Sequence, residues 1–268
     1  MRCLIPTLIL ALVGCSSQPT GPLGGHDKDG HGHKHGDPAA GKARLAVEAE
    51  PAKPEAGKPT KLTLALLGAD GKRLADFDVA HEKKVHLIVI RDGLDRFAHL
   101  HPAVAGDGAI TTEYAFPTGG LYRLYADYQP KGGRPATARA EVTVAGEVPA
   151  RPDLKPDAPG KVRGDGLDAT VTLRDVKAGG EGVVRFEVVD PDGKPALDLE
   201  PYMGAMGHLV VVSADGKEYV HAHPVDEKAA ANVVAFGAHF PAAGLYKGWG
   251  QFKRRGEVAV VPFVLRVE

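Results

Sequence analysis

A histidine pattern occurs twice in this chain at one fixed separation, and that duplication constrains the fold more than any other feature. The first copy reads His86-Leu-Ile-Val-Ile, then Phe97-Ala-His99-Leu-His101-Pro102. The second reads His208-Leu-Val-Val-Val, then Tyr219-Val-His221-Ala-His223-Pro224. The differences 208 − 86, 221 − 99 and 223 − 101 are all 122. A Phe-Pro…Gly-Leu-Tyr segment follows each copy, from Phe116 to Tyr122 and from Phe240 to Tyr246. Such a chain is one domain repeated, with imidazoles presented at matched positions.

Each half reads as short strands separated by turn residues. In the first, Leu62-Thr-Leu64-Ala-Leu66 alternates or runs apolar, Val85 to Ile90 is a short apolar run rich in β-branched residues, Asp70-Gly71 marks a turn, and Leu121, Arg123, Tyr125 and Asp127 alternate with aromatic neighbours. The second repeats the plan, with an Asp190-Pro-Asp-Gly193 turn. Alternating or β-branched runs at this spacing predict antiparallel sandwiches, and no segment carries a sustained helical period. The expected fold is all-β: two tandem immunoglobulin-like (cupredoxin-like) β-sandwich domains over 43–146 and 166–268. Pro149, Pro152, Pro156 and Pro159 make 147–165 a stiff linker in this reading. The Phe-Pro…Gly-Leu-Tyr segments fit a tyrosine corner. Trp249 and Phe252 either cover the second core or present an aromatic contact.

Alternate residues on a strand share a face, about 7 Å apart along it. His99 therefore shares a face with His101, and His221 with His223. Ala214-Asp215-Gly216-Lys217 is a hairpin signal. Centring the turn on Asp215-Gly216 sets His208 opposite His223 and Val210 opposite His221, and the same spacing sets His86 opposite His101. Opposed Cβ atoms lie about 5 Å apart, close enough for two imidazoles to hold one ion. The pattern predicts a three-imidazole cluster in each half: His86, His99 and His101, then His208, His221 and His223. His81 is a candidate fourth ligand for the first cluster; Met203, Met206 and His239 are candidates for the second. Imidazole suits copper and zinc, and a thioether beside it favours Cu(I). The competing reading is structural, with the imidazoles satisfying backbone groups and the proline ending an edge strand.

The N-terminus sets the compartment. Arg2 precedes an apolar run from Leu4 to Val13, too short to span a bilayer but laid out like a secretory leader. It ends in Leu12-Val13-Gly14-Cys15, which resembles the lipobox of bacterial lipoproteins. That resemblance implies a leader over 1–14, lipidation of Cys15, and membrane attachment in the bacterial envelope, at the outer membrane facing the periplasm. Residues 15–42 are Gly, Pro, Ser, Lys, Asp and His with little to bury, a composition expected to stay disordered. His26, His31, His33 and His35 within it form a spacer that could also hold metal loosely.

The chain has two cysteines; Cys3 leaves with the leader and Cys15 is used for lipid. That excludes blue-copper electron transfer, iron–sulfur, cysteine–zinc and thiol-redox chemistry. Thirty-three Lys and Arg against 34 Asp and Glu leave no basic field for nucleic acid. No phosphate loop or nucleophile motif is present, and no carboxylate stands beside the histidines at a catalytic spacing, so no enzyme is expected.

The His-Leu-Ile-Val…His-Leu-His-Pro arrangement on a lipid-anchored β-chain resembles bacterial envelope proteins of the YtkA-like and FixH-like groups. The resemblance implies immunoglobulin-like or cupredoxin-like domains linked with metal handling. Periplasmic copper chaperones with a His/Met motif are also similar, although His221-Ala-His223 stands where they have His-X-Met. The reading is a lipoprotein that binds or buffers a transition metal, copper first and zinc second, with a metal exporter or a metalloprotein client as partner. The alternatives are a protein-interaction module with structural histidines, and a pH sensor built on histidine titration.

Overall fold

The computed structural model describes residues 43–225 and 229–268; Cys15 and the histidine tract lie outside them. Among the described residues all regular structure is β. The first domain contains β1 (Arg44–Glu50), β2 (Pro59–Leu67), β3 (Val85–Arg91), β4 (Phe97–Leu100), β5 (Ala103–Val104), β6 (Ile110–Ala115), β7 (Gly120–Tyr128) and β8 (Ala136–Val144). One of its sheets runs β1-β2-β6-β5 and the other β4-β3-β7-β8. The second domain contains β9 (Gly160–Arg163), β10 (Asp168–Arg174), β11 (Gly180–Val189), β12 (Leu199–Glu200), β13 (His208–Ser213), β14 (Tyr219–Ala222), β15 (Val233–Phe240), β16 (Gly244–Arg254) and β17 (Glu257–Val267). Its sheets are β15-β11-β10-β9 and β12-β16-β13-β14, with β17 on the free side of β16. These are tandem immunoglobulin-like sandwiches.

The repeat is visible strand by strand. Tyr122 donates its hydroxyl proton to the Thr118 carbonyl at 2.9 Å, and Tyr246 donates to Ala242 at 2.8 Å. Both tyrosines are buried, so the recurring Gly-Leu-Tyr segment closes a corner in each sandwich. The hairpin register matches the one the turn residues predict: Ile88 faces His99 and Val210 faces His221.

Strands β3 and β13 are buried at every position. A strand in a two-sheet sandwich ordinarily alternates, because its outer face meets water. Here Leu87 and Val89 point into the first core, and Leu209 and Val211 into the second. The intervening Ile88, Ile90, Val210 and Val212 form a third cluster with Leu94, Tyr125, Tyr219 and Trp249. That cluster joins the two domains through their β3- and β13-bearing sheets.

The junction is pseudo-symmetric. Phe97 stacks on Trp249 (centroids 4.9 Å apart, 13° between planes), and Tyr125 stacks on Tyr219 (4.3 Å, 7°). Phe97 and Tyr219 are equivalent in the repeat (219 − 97 = 122). Tyr125 and Trp249 are equivalent too, at the offset of 124 that separates Tyr122 from Tyr246. Each domain thus gives the other the same pair of aromatic positions, as in an isologous dimer interface. Trp249 is therefore an inter-domain contact and Phe252 belongs to the second core.

The proline-rich stretch is more ordered than a linker. Arg91 donates to the Pro149 carbonyl at 3.0 Å, Arg151 pairs with Asp92, and Leu154 packs on the inter-domain cluster. Asp157 accepts from the Val264 amide at 2.6 Å, and residues 160–163 form β9, paired with β10. The prolines exclude helix but leave this four-residue edge strand possible.

Replacing Trp249 by Ala should cost about 3–5 kcal/mol, the usual range for a buried aromatic. Because the side chain lies between the domains, calorimetry should show the wild-type transition split into two, one for each sandwich.

Candidate metal centre

Each set of histidines is positioned by a tight turn and a hairpin. Ahead of β3, Ala80 and Lys83 exchange backbone hydrogen bonds; ahead of β13, Tyr202 and Ala205 do the same. The inner residues take positive φ: His81 48° and Glu82 65° in one turn, Met203 52° and Gly204 73° in the other. Two consecutive left-handed residues are the mark of a type I′ turn, and three of these four carry side chains that disfavour it. The turns aim the Ala80 and Tyr202 carbonyls at the rings that follow. His86 Nε2 lies 3.0 Å from Ala80 O, and His208 Nε2 lies 2.9 Å from Tyr202 O. A carbonyl only accepts, so both Nε2 atoms carry the proton and both Nδ1 atoms present a lone pair.

The pleat then gathers the expected triads. The candidate ligand atoms of His86, His99 and His101 lie within 4.8 Å of one another, as do those of His208, His221 and His223. Ring centroids within the first triad are 4.6 to 5.2 Å apart, and 4.8 to 5.7 Å within the second. Three imidazoles on one tetrahedral ion, with bonds of about 2.0–2.1 Å, would hold their centroids about 5 Å apart.

The triads are not separate sites. His99 lies 5.3 Å from His221 and 5.8 Å from His208, and His86 lies 5.7 Å from His221 and 6.4 Å from His208. These separations between domains are close to those within each domain, so all six rings form one centre at the edge of the inter-domain core. Sequence spacing places three rings in each half but says nothing about which outer faces meet.

Two further side chains complete the centre, and sequence reasoning gave neither a role. Asp127 on β7 lies opposite His86, and Gln251 on β16 lies opposite His208. Each reaches across the junction: His221 Nδ1 lies 2.8 Å from Asp127 Oδ2, and His99 Nδ1 lies 3.0 Å from Gln251 Oε1. The signal was present as an equivalence, since each is the fifth residue after its corner tyrosine.

The additional candidates fare differently. His81 stacks flat on His223 of the other domain (3.5 Å, 12°) instead of joining the first triad. Parallel rings cannot both aim an in-plane lone pair at one ion, so His81 covers the second triad without sharing an ion with His223. Met203 occupies the turn position equivalent to His81 (203 − 81 = 122), while Met206 is 38% exposed. His239 stands on β15, in the other sheet of its sandwich, beside Glu181 at 3.7 Å and outside both triads. It lines, with His81, His86, His221 and His223, a cleft of 660 Å³ that leads to the centre.

Burial disfavours the charged form of His86, His99, His101 and His208. His101 and His208 are both pushed down to about 4, His208 against the opposing pull of the Tyr202 carbonyl. His86 is lowered, again chiefly by burial. His99 falls well below its ordinary value through burial and then the neighbouring imidazoles. Neutral imidazole is the ligating form.

The sign of the pH effect follows. Histidine in the unfolded chain takes up its proton near pH 6.5, while the folded rings resist it. Stability is complete above about pH 6.5 and is lost as pH falls towards 4. Calorimetry of the metal-free protein should show the midpoint falling by about 5 °C or more between pH 7 and pH 5. Replacing His101 and His208 by Gln should flatten that dependence.

No curated protein matches the sequence. Similar solved structures include FdeC, an Escherichia coli adhesin, at 18% identity, covering 84% of this chain and 64% of that one, with a TM-score of 0.28. The Yersinia pseudotuberculosis adhesin InvE is similar at 13% identity (87% and 62% covered, TM-score 0.25). A carbohydrate-binding module of the β-sandwich superfamily is similar at 11% identity (86% and 100% covered, TM-score 0.24). The chain spans 48% to 64% of the length of the first adhesin structures it matches. The family match spans both sandwiches and lies with neither the YtkA-like nor the FixH-like group. The chain belongs to the DUF8832 family, described as a domain of unknown function, and carries that domain twice, over residues 40–146 and 161–268.

Proposed function

We propose that the inter-domain histidine centre binds transition-metal ions, copper first and zinc second, and that the protein buffers them or passes them to an exporter or client. The observation that carries this reading is His208. Its ring is 0% exposed, its Nε2 proton is committed to the Tyr202 carbonyl, and its Nδ1 has no hydrogen-bond partner among the described residues. A buried acceptor left unmade costs about 1–3 kcal/mol, and an ion bound there would offset that cost. His101 Nε2 is likewise buried without a partner among the described residues. His86 Nδ1 and His99 Nε2 face each other at 3.0 Å, close to the separation of about 3.3 Å between neighbouring ligands on a tetrahedral ion.

The donor set bears on the metal. Imidazoles without thiolate suit copper and zinc, and Cu(II) heads the divalent affinity order. The function expected of such a centre is binding. The lipobox-like segment ending at Cys15 supports a lipid-anchored envelope protein, and the tract at His26, His31, His33 and His35 supports loose capture ahead of the folded centre. No helix among the described residues is long and apolar enough to cross a membrane.

The test titrates the full chain, with the four tract histidines changed to Ala, against Cu(II), Cu(I) and Zn(II). Saturable binding should survive in this parent. It should weaken at least about 10-fold when His208 and His86 are also replaced by Ala, since each removes one of three ligands. Binding that ends with the tract, or is indifferent to His208 and His86, would favour an interaction module with structural histidines.

A further inference from the structure

The two triads are built on the same plan, but the side chains that orient them differ in charge. Asp127 and Gln251 occupy equivalent positions, each opposite the first histidine of its own domain and each bonded to the central histidine of the other. A carboxylate can only accept. Asp127 therefore holds the His221 proton on Nδ1, directs the Nε2 lone pair to the opposite side of the ring, and makes the imidazole a stronger donor. An amide can accept or donate, so Gln251 fixes the His99 tautomer less strictly and brings no charge.

Asp127 is itself held in place. It accepts from Thr137 Oγ1 at 2.6 Å in its own domain and from the Tyr219 hydroxyl at 2.5 Å in the other. Its carboxylate sets a formal negative charge against the His221 ring, where Gln251 sets a neutral amide against the His99 ring. A divalent ion in so buried a place gains from a nearby anion far more than it would in water. Once one ion is bound, its charge opposes a second ion in the adjoining triad.

We infer that the centre is a pair of unequal sites loaded in order. The triad of His208, His221 and His223, backed by Asp127, takes the first and tighter divalent ion; the triad of His86, His99 and His101, backed by Gln251, takes the second. Because each orienting side chain comes from the opposite domain, neither site is complete within one sandwich. Asp127 and Gln251 are positioning residues that act through an imidazole. This inference rests on the metal-binding reading and adds the order and cause of the inequality.

The test is calorimetric titration of the full chain, with the tract histidines replaced by Ala, using Zn(II) as the probe. Co(II) spectra report the ligand geometry. The parent should bind two ions in two resolved steps. Asp127→Asn should weaken the tighter step by about 10–100-fold, the usual cost of losing such a partner, with both stoichiometries retained and the Co(II) band of the first step shifted. Gln251→Glu should tighten the weaker step alone. Near-UV circular dichroism checks that the Tyr125–Tyr219 stack survives, and if Asp127→Asn does not fold, Gln251→Glu decides. Two equal steps in the parent, equal weakening of both steps by Asp127→Asn, or no effect of Gln251→Glu would overturn the inference while leaving metal binding intact. A parent that binds no Zn(II) would overturn the metal-binding reading itself, and this inference with it.

Discussion

A β-sheet with two apolar faces must be covered twice, and that requirement organises this molecule. In β3 and β13 each residue facing away from its own core is as buried as the residues facing into it. The cover is the other domain. Ile88 and Ile90 meet Val210 and Val212, and two aromatic stacks, Phe97 on Trp249 and Tyr125 on Tyr219, pack with them. His86 and His208 lie in the same two strands, two residues before Ile88 and Val210 and so on the same outward face, since side chains two residues apart point the same way. Packing the apolar parts of these faces together brings the histidines together as well.

The same requirement shows how far the sequence could be read. The pairing of Ile88 with His99 and of Val210 with His221 followed from the Asp215-Gly216 turn and the pleat, both local properties. The inter-domain core was also written in the chain, because His-Leu-Val-Val-Val has no polar outward residue after the histidine. A short apolar run of that kind does not say what covers its second face. Asp127 and Gln251 stayed hidden for a stronger reason. Their partners lie 94 and 152 residues away, and only the junction between domains makes them neighbours. The strand at 160–163 and the placement of His81 over His223 depend on tertiary contacts in the same way.

The chemistry of the centre follows from what the neighbouring groups can accept. The Ala80 and Tyr202 carbonyls and the Asp127 carboxylate fix protons on the far nitrogens of His86, His208 and His221. The remaining nitrogens then present lone pairs in a region where burial disfavours imidazolium. A purely structural histidine network would be expected to pair a buried acceptor such as His208 Nδ1, which has no partner among the described residues. The turns that hold the aligning carbonyls carry left-handed His81, Glu82 and Met203, and strain of that kind tends to persist where geometry serves a function.

Anomalous X-ray diffraction from crystals of the full chain grown with Zn(II), measured on both sides of the zinc edge, tests the central claim most directly. The account predicts two peaks at the junction of the domains. One would be bonded to His208 Nδ1 and His221 Nε2, the other to His86 Nδ1 and His99 Nε2, with the stronger peak on the side of Asp127. Zinc found only at surface positions, with the six rings in their present contacts and no anomalous density among them, would contradict it.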